Sequence, residues 1–378
     1  MVESKRLLIV VNVDWFFLSH RLPVALAALE AGYEVHVATL LTQGRARLQA
    51  YGFIVHELQI ERSSSGAWSL LKLFVAFMRL LWLVRPDVLH LVTIKPVLIG
   101  GLAARLSPVK GVVYAISGLG HVFVEEGWSY CIRRWCIGIW YRFALGARNK
   151  RIIFQNSDDR SVIEASIRLR DAQINLIPGS GVDLTHYRYS ALPEGEAVVL
   201  MAARLLGTKG VREFVAAAQI LRSQGYAARF WLFGDIDTGN PASIEAGEIE
   251  SWKQQGVVEV LGHSTDIAAI MAKVQVVVLP SYREGLPKVL IEAAACGRAV
   301  VTTDVPGCRD AIEAGVTGLL VPPKDAYRLV EAIRQLLENR AKCEAMGQAG
   351  RKRAEQIFNV TNVVTAHLAL YRALGAVR

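Results

Sequence analysis

Residues 274–297, VQVVVLPSYREGLPKVLIEAAACG, form the most informative stretch of this 378-residue chain. The stretch opens with an apolar run, Val274–Leu279, which is typical of a strand buried on both faces of a parallel sheet. A proline at the first turn and Gly297 at the end predict a helix over Pro287–Cys296. Strand, loop and helix in this order form the repeating unit of a parallel α/β sheet.

The candidate ligand-binding residues of this stretch lie between the predicted strand and the helix, and in the helix itself. Glu284 and Gly285 occupy the loop, and Glu292 lies inside the helix. Backbone N–H groups at a helix start suit a phosphate, and a glycine lets the backbone approach a ligand closely. Glu292 can accept hydrogen bonds from a ribose diol. The pattern alone leaves open that both glutamates are ordinary solvated charges.

The same rhythm of apolar runs and helical patterns continues on both sides of this stretch. In the first half the predicted strands are Leu7–Val13, Glu34–Thr39, Val88–Val92, Gly111–Ile116 and Arg151–Gln155. In the second half they are Ala197–Met201, Ala228–Phe233, Val257–Leu261, Val274–Leu279, Ala299–Thr303 and Leu319–Val321. This rhythm predicts an α/β protein with two Rossmann-like, doubly wound domains that face each other across a cleft.

The domain boundaries follow from a break in this rhythm. Pro193 and Gly195 indicate a linker near residues 191–196. We expect an N-terminal domain over 1–190, a second domain over 196–350, and a C-terminal helix over 351–378 that can pack back on the first domain.

Composition limits the classes of function. With 52% hydrophobic and 20% charged residues the chain is not disordered. Its 43 basic and 34 acidic residues give a net charge of +9, which favours anionic partners such as nucleotides, nucleic acid or anionic lipid. We find no nucleic-acid-binding motif, so nucleic acid is not an expected partner.

A second basic loop follows the predicted strand Ala197–Met201. Arg204 and Lys209 lie between this strand and the next helix, where two cations can neutralise a diphosphate without a metal ion. An ordinary basic connection is the alternative. Asp235 and Asp237 match a metal-binding Asp-x-Asp pattern, but this pattern is common by chance and the cations already supply the charge. We therefore predict no metal site.

Strand ends of the first half supply candidates for the acceptor or sugar side. We expect Asp14 in a loop after the first strand and His20 at the opening of a helix over His20–Ala31. An N-cap role and a polar helix face are the alternatives. The full candidate set on this side is Asp14, His20, Lys95, Gly118, Gly120 and His121.

Taken together, these segments resemble the retaining GT-B glycosyltransferases of family 4 over nearly the whole chain. Within that family the chain resembles bacterial transferases that extend a polyprenyl-diphosphate-linked sugar, such as the N-acetylgalactosaminyltransferase of the N-glycan pathway. The segments that carry the resemblance are His20-Arg21-Leu22-Pro23, Ser117-Gly118-Leu119-Gly120, Leu200-Met201-Ala202-Ala203-Arg204, Lys209-Gly210-Val211, Asn240-Pro241, and Leu279-Pro280-Ser281-Tyr282 with Glu284 and Glu292.

The resemblance implies a role for each cation and carboxylate. Arg204 and Lys209 match the residues that bind the donor diphosphate, and Glu292 matches the residue that holds the nucleotide ribose. Glu284 matches the glutamate that faces the donor sugar.

The resemblance also extends to the backbone, with one departure. Gly285 and Leu286 match the backbone contacts to phosphate and sugar. Many family members carry a Gly-Gly turn after the first strand, whereas this chain has Val13-Asp14-Trp15-Phe16. That loop helps to shape the acceptor side, so the acceptor residues are the less defined part of the prediction.

The resemblance implies the reaction. We expect retaining transfer of a sugar, an N-acetylhexosamine, from a UDP-sugar to a polyprenyl-diphosphate-linked acceptor, with no cofactor and no metal. Two other classes remain open from the residues alone. One is a sugar-nucleotide epimerase or a phosphorylase of the same architecture, although no lysine for pyridoxal phosphate stands out. The other is a non-catalytic module of a glycan assembly complex.

Two segments of the first half indicate a membrane surface. Trp68–Val84 is apolar except for Ser69, Lys72 and Arg79, and its charges and short length argue against a span. Trp128–Leu145 combines aromatic with basic residues, which suits an anionic interface. A helix packed on the sheet is the alternative. We expect a cytoplasmic protein associated peripherally with the inner face of the cell membrane.

Overall fold

The computed structural model describes residues 4–60, 66–119, 138–237, 239–264 and 266–375. These residues divide into two compact units, which are described separately below. Unit 1 comprises Met1–Ser180 and Thr361–Arg378, and unit 2 comprises Gly181–Val360.

Each unit is built on one parallel sheet. The described strands are β1 (Arg6–Val13), β2 (Glu34–Leu40), β3 (Ile54–Glu57), β4 (Val88–Val92), β5 (Gly111–Ile116), β6 (Lys150–Phe154), β7 (Ile174–Leu176), β8 (Ala197–Ala202), β9 (Ala228–Phe233), β10 (Glu259–Gly262), β11 (Val276–Leu279), β12 (Ala299–Thr303) and β13 (Gly318–Val321). The order is β3-β2-β1-β4-β5-β6-β7 in unit 1 and β10-β9-β8-β11-β12-β13 in unit 2.

Both sheets therefore have the Rossmann arrangement, in which the strand order reverses next to the first strand of each unit. The prediction of two Rossmann-like domains is confirmed. Two strands were missed, β3 and β7, because three or four half-exposed residues at a sheet edge give no distinct apolar run.

Helices connect the strands. The described helices are α1 (Asp14–His20), α2 (Leu22–Glu30), α3 (Arg45–Ala50), α4 (Ala67–Val84), α5 (Gly101–Ala104), α6 (Ser157–Glu164), α7 (Val211–Ser223), α8 (Ala246–Gln254), α9 (Ile267–Met271), α10 (Lys288–Ala295), α11 (Cys308–Ala311), α12 (Ala326–Glu338), α13 (Arg340–Arg353) and α14 (Val360–Gly375). Residues 138–144 are also helical. The helix expected over His20–Ala31 is instead two helices, α1 and α2, that meet at Arg21.

The chain enters unit 2 after Ser180 and leaves it after Val360, whereas the sequence suggested a first boundary at residue 190 and a tail from 351. Contacts of the entering and leaving segments explain the observed division. The Val182 N–H donates to the Phe358 carbonyl at 2.7 Å, and the Val360 N–H donates to the Val182 carbonyl at 3.1 Å. Tyr187 and Leu192 lie in the core of unit 2.

The C-terminal helix α14 belongs to unit 1 and packs on its sheet. Leu370 and Leu374 join a core cluster with residues of β1, β2 and β4. The same cluster contains a buried hydrogen bond, in which His90 Nδ1 lies 2.7 Å from the Tyr371 hydroxyl. His367 lies beside this pair, with ring centroids 5.5 Å from His90.

The histidines of this buried cluster, His90 and His367, are uncharged. Burial, and then the nearby Arg21 guanidinium, lower the pKa of His367 to about 3. Burial also lowers the pKa of His90 well below its usual value. Both rings are therefore neutral at physiological pH.

Candidate active site

The central feature of unit 2 is an ion pair at the carboxyl ends of β8 and β11. Lys209 Nζ contacts Glu284 Oε1, and the Ser281 hydroxyl lies 2.7 Å from the same carboxylate oxygen. The Lys209 and Glu284 side chains are only 19% and 13% exposed. Partial burial strengthens such a pair relative to one on the open surface.

Backbone packing brings these two residues together. Lys209 ends a single 3₁₀ turn, Gly207–Lys209, after β8, and Gly210 follows with φ of 76°. A Cβ at position 210 would lie 2.2 Å from the Pro280 carbonyl oxygen at the end of β11. Only glycine allows both the left-handed backbone and this close approach. The turn therefore rests directly on the strand end that leads to Glu284.

Arg204 forms a second, more open ion pair. Its Nη1 lies 2.6 Å from Asp237 Oδ2, and its side chain is 43% exposed. Arg204 follows β8 and Asp237 follows β9, so this pair also lies at the carboxyl edge of the sheet. Both predicted diphosphate-binding cations are thus held by carboxylates of the protein. The partner of Arg204 is one of the two aspartates that the sequence pattern suggested for a metal.

Glu292 lies in α10 and is nearly buried, at 6% exposure. Its Oε1 accepts a hydrogen bond from the Tyr187 hydroxyl at 2.6 Å and lies 3.1 Å from Lys288 Nζ. Burial, and then the adjacent carboxylate, raise the pKa of Tyr187, so the tyrosine stays a hydrogen-bond donor. Glu292 is therefore oriented from two sides.

The start of α10 contributes backbone groups to the same edge. N–H groups in the first turn of a helix lack intrahelical partners, and the helix dipole makes this end positive. The loop before α10 is fixed, since the Glu284 N–H donates to the Pro306 carbonyl at 3.1 Å. A Cβ at Gly307 would lie 2.5 Å from the Glu284 carbonyl oxygen. Gly285 and Leu286 thus lie between the ion pair and the helix start.

Asp14 does not lie in a loop, as the sequence suggested, but begins α1 and is 1% exposed. Its carboxylate accepts hydrogen bonds from the backbone N–H groups of Trp15, Thr42 and Gly44 and from the Thr42 hydroxyl, at 2.7–2.8 Å. Burial by itself would raise the pKa of Asp14, but these hydrogen bonds lower it. The side chain ties α1 to the segment after β2, and a sugar contact would have to break one of these bonds.

The other described unit 1 candidates are His20, Lys95 and Gly118, which follow β1, β4 and β5 along the chain. His20 ends α1 rather than opening a helix, because Arg21 breaks the helical run, and its ring stacks on Phe16 at 4.2 Å. Lys95 precedes a π-helical turn after β4. Gly118 follows β5 with φ of 117°. Gly120 and His121 lie outside the described residues.

Sequence reasoning missed several residues of the unit 2 edge. Ser281 and Lys288 lie within residues 274–297, close in sequence to Glu284 and Glu292, so their polar side chains could have been included in the prediction. Tyr187 is 105 residues from its partner Glu292, and no local pattern connects them. Among the described residues, no cluster of three or more His, Cys, Asp or Glu residues is arranged to hold a metal ion.

Two family models match the chain. Residues 185–353 match "Glycosyl transferases group 1", and residues 6–156 match "Glycosyl transferase 4-like". The first range contains the ion-paired residues and Glu292 of unit 2, and the second contains the unit 1 candidates.

The chain is a GT-B glycosyltransferase. It is 29% identical to N,N'-diacetylbacillosaminyl-diphospho-undecaprenol alpha-1,3-N-acetylgalactosaminyltransferase of Campylobacter jejuni, over 85% of this chain and 89% of the relative. It is 26% identical to a capsular polysaccharide biosynthesis glycosyltransferase of Staphylococcus aureus, over 86% of each chain.

A solved structure shows the same fold as this glycosyltransferase. The Anabaena protein HepE, crystallised with UDP and glucose, superposes with a TM-score of 0.75 at 18% identity, over 97% of this chain and 99% of HepE. The enzyme class expected from the sequence is confirmed by the family matches, and a purely non-catalytic module is set aside.

Proposed function

We propose that this glycosyltransferase transfers a sugar, specifically an N-acetylhexosamine, from a UDP-sugar to a polyprenyl-diphosphate-linked saccharide. In this proposal transfer retains the anomeric configuration and needs no metal ion. The observation that carries the proposal is the paired charge of unit 2, where two cations at one sheet edge are each held by a carboxylate. The name of the Campylobacter relative supports a lipid-linked acceptor, and the UDP bound to HepE supports the donor.

The donor diphosphate would become a partner of both cations. Arg204 is exposed, so it can turn from Asp237 to a phosphate with little change in its solvation. Lys209 has three donor hydrogens and can contact a phosphate oxygen while it keeps Glu284. Negative charge grows on the departing diphosphate, and one preorganised donor at such a position is worth about 3–4 kcal/mol.

The nucleoside would be held by Glu292. Within the described residues, both protein contacts to this carboxylate are made by Oε1. The second oxygen, Oε2, is then the acceptor for the ribose hydroxyls. The resemblance assigns Glu284 to the donor sugar, and its pairing with Lys209 and Ser281 fixes the carboxylate for that contact. The leaving diphosphate, rather than a side chain, would receive the acceptor proton.

A screen by mass spectrometry tests this proposal. UDP-sugars are incubated with polyprenyl-diphosphate-linked saccharides, with and without EDTA, and the anomeric configuration of the product is read by NMR. We expect one UDP–N-acetylhexosamine to be transferred with retention at an unchanged rate in EDTA. Activity that is lost in EDTA and restored by magnesium or manganese would overturn metal independence and return Asp235 and Asp237 to consideration.

The acceptor side would meet a membrane through one exposed face of α4. This α4 face consists of Trp68, Leu71, Lys72, Val75, Arg79, Trp82 and Leu83. Trp68, Trp82 and Leu83 are 68%, 52% and 74% exposed, while the opposite side of the helix, including Leu73 and Phe77, packs in the core. Tryptophans and cations on one helix face are typical of an interfacial helix.

Neighbouring elements extend this apolar surface. α4 packs against α5, and Arg105 after α5 donates to the Phe143 carbonyl at 3.2 Å. Leu106, Trp140 and Phe143 are 42–63% exposed in this layer. Of the segment Trp128–Leu145 that the sequence suggested for the interface, residues 128–137 lie outside the described residues.

Length and composition alone would let α4 cross a membrane, and 28% of it is buried within the protein. We favour docking over spanning, because one side of the helix is occupied by the unit 1 core and Lys72 and Arg79 lie in its middle. Peripheral association with the inner face of the cell membrane would place the protein beside a lipid-linked acceptor.

A further inference from the structure

The crevice between β1 and β4 is the place where the strand order of the unit 1 sheet reverses. In open α/β sheets, ligands bind beyond the carboxyl ends of the strands at this point. Two uncharged polar residues, Asn12 and Thr93, occupy this position. The Thr93 hydroxyl donates a hydrogen bond to Asn12 Oδ1 at 2.5 Å.

Thr93 has an unusual backbone conformation. Its φ is 73°, in the left-handed region that a β-branched residue rarely adopts. The residue is fixed on both sides, since its N–H donates to the Ala115 carbonyl at 3.4 Å and its carbonyl accepts from the Val97 N–H at 3.0 Å. Such conformations concentrate at functional sites, where the surrounding structure maintains them.

Asn12 is placed by a second irregularity. β1 shifts register against β2 between Val10 and Val13, with one more residue on β1 than on β2. A bulge of this kind re-aims a side chain and is frequent beside active sites. The bulge and the left-handed Thr93 are independent features of two different strands, and both position the same hydrogen-bonded pair.

The hydrogen bond between the two side chains decides what they can bind. Because Asn12 Oδ1 accepts from Thr93, the Asn12 Nδ2 group is directed away from Thr93. Within the described residues Nδ2 donates to no protein acceptor, and Asn12 is half-buried. The Thr93 oxygen, having donated its hydrogen, keeps lone pairs that can accept. The pair therefore offers one donor and one acceptor side by side.

We infer that Asn12 and Thr93 form a binding pair for a sugar hydroxyl of the acceptor. A hydroxyl can accept from Asn12 Nδ2 and donate to Thr93 Oγ1 at the same time, whereas a phosphate cannot donate. The assignment to the acceptor rests on the proposed function, in which the donor is held by unit 2.

Isosteric substitutions test this inference. Thr93→Val removes the hydroxyl and keeps the β-branched shape, and Thr93→Ser keeps the hydroxyl. With a UDP–N-acetylhexosamine donor and a short-chain prenyl-diphosphate-linked N-acetylhexosamine, Thr93→Val should raise the acceptor KM about tenfold, the effect of one lost hydrogen bond. The donor KM should not change, and Thr93→Ser should restore the acceptor KM to within about twofold of wild type. An unchanged acceptor KM in Thr93→Val, or an equal rise in the donor KM, overturns the inference.

A binding measurement separates this inference from the proposed reaction. Saturation-transfer NMR with methyl N-acetylglucosaminide needs no turnover. Signal in the wild type and in Thr93→Ser, with loss in Thr93→Val, supports the hydroxyl pair even if no lipid-linked acceptor is used. Equal signal in all three proteins, or none in the wild type, overturns it.

Asn12→Leu provides a second variant, at the other residue of the pair. Leucine removes both the donor and the acceptor of the amide, so it should also reduce the signal. Melting temperatures are measured for every variant. If Asn12→Leu folds and keeps the full signal, Asn12 does not bind the sugar.

Discussion

The carboxyl edges of the two sheets differ sharply in charge, although the sheets share one topology. The described edge of unit 2 carries the pairs Lys209–Glu284 and Arg204–Asp237, with Glu292 nearby. The corresponding edge of unit 1 carries neutral groups, Asn12 and Thr93 among them, and the cation Lys95 after β4. Its acidic residue Asp14 is occupied by four hydrogen bonds from the protein.

This difference indicates how one architecture can serve two ligands of different charge. In the proposed function the carboxylates of unit 2 would keep its cations in place until a diphosphate binds. The Asn12–Thr93 pair of unit 1 would offer a sugar hydroxyl a donor and an acceptor in fixed directions. The experiments that follow each test one side of this contrast.

The largest effect is expected for Lys209→Ala. Loss of this cation removes stabilisation of the departing diphosphate and leaves Glu284 without its counter-ion. The lower kcat/KM should correspond to a loss of about 2–4 kcal/mol of transition-state stabilisation. For Arg204→Ala we expect a loss of kcat/KM in the same range. Steady-state transfer assays measure both.

A surface pair provides the matched control for Lys209. Arg229 forms an ion pair with Glu259 at 2.6 Å on β9, outside the edge described above. Arg229→Ala should keep nearly full activity. If Lys209→Ala transfers the sugar at the wild-type rate, Lys209 does not stabilise the departing diphosphate.

The next effect concerns the α4 face, which we propose to contact a membrane. Lys72→Glu with Arg79→Glu should weaken binding to anionic liposomes by about 1 kcal/mol for each lost cation, or roughly 30-fold in total. Sedimentation at low salt measures this, and added salt should weaken wild-type binding. Reversal of two exposed unit 2 cations, Lys253 and Arg328, is the control and should change little. If the wild-type protein does not bind anionic liposomes at low salt, the α4 face is not a membrane-docking surface.

A smaller effect is expected for Glu292→Ala, which should weaken UDP binding about tenfold through loss of the ribose contact. Calorimetry with UDP measures it. The chain offers a matched Tyr–Glu pair at the surface, since the Tyr226 hydroxyl donates to Glu338. Glu338→Ala should bind UDP like the wild type. Equal affinities in all three folded proteins would show that Glu292 does not contact the nucleotide.

The smallest effect tests whether the buried histidines of unit 1 resist protonation. His367 has its pKa lowered to about 3 by burial and by Arg21. The unfolded chain binds a proton near pH 6.5, while the folded chain does not bind it until about pH 3. The free energy of unfolding should therefore fall as the pH drops below 6.5, by about 1 kcal/mol between pH 6.5 and 5.5 for this residue.

His367→Asn should reduce this dependence, because asparagine can still donate to the Val363 carbonyl but does not titrate. Urea unfolding at several pH values measures the slope. The exposed His186 of unit 2 is the control, and His186→Asn should leave the slope nearly unchanged. An unaltered slope in His367→Asn would mean that the buried cluster does not couple to protonation.

Residue patterns along the chain were enough to predict the fold class and most of the charged groups at the unit 2 sheet edge. Long apolar runs such as those of β4, β5 and β12 were located to the residue, because a strand buried on both faces needs continuous apolar side chains. Glu284, Arg204 and Lys209 were found because each follows such a run. Local order along the chain sufficed for these features.

Contacts between residues that are distant in the sequence could not be predicted in this way. Tyr187 reaches Glu292 across 105 residues, Asp237 forms an ion pair with Arg204, and Asp14 begins a helix instead of a loop. The left-handed Thr93 and the bulge that aims Asn12 also leave no mark in the residue pattern. The reason is physical: periodicity reports which residues a single element buries, whereas partners and backbone distortions depend on how separate elements pack together.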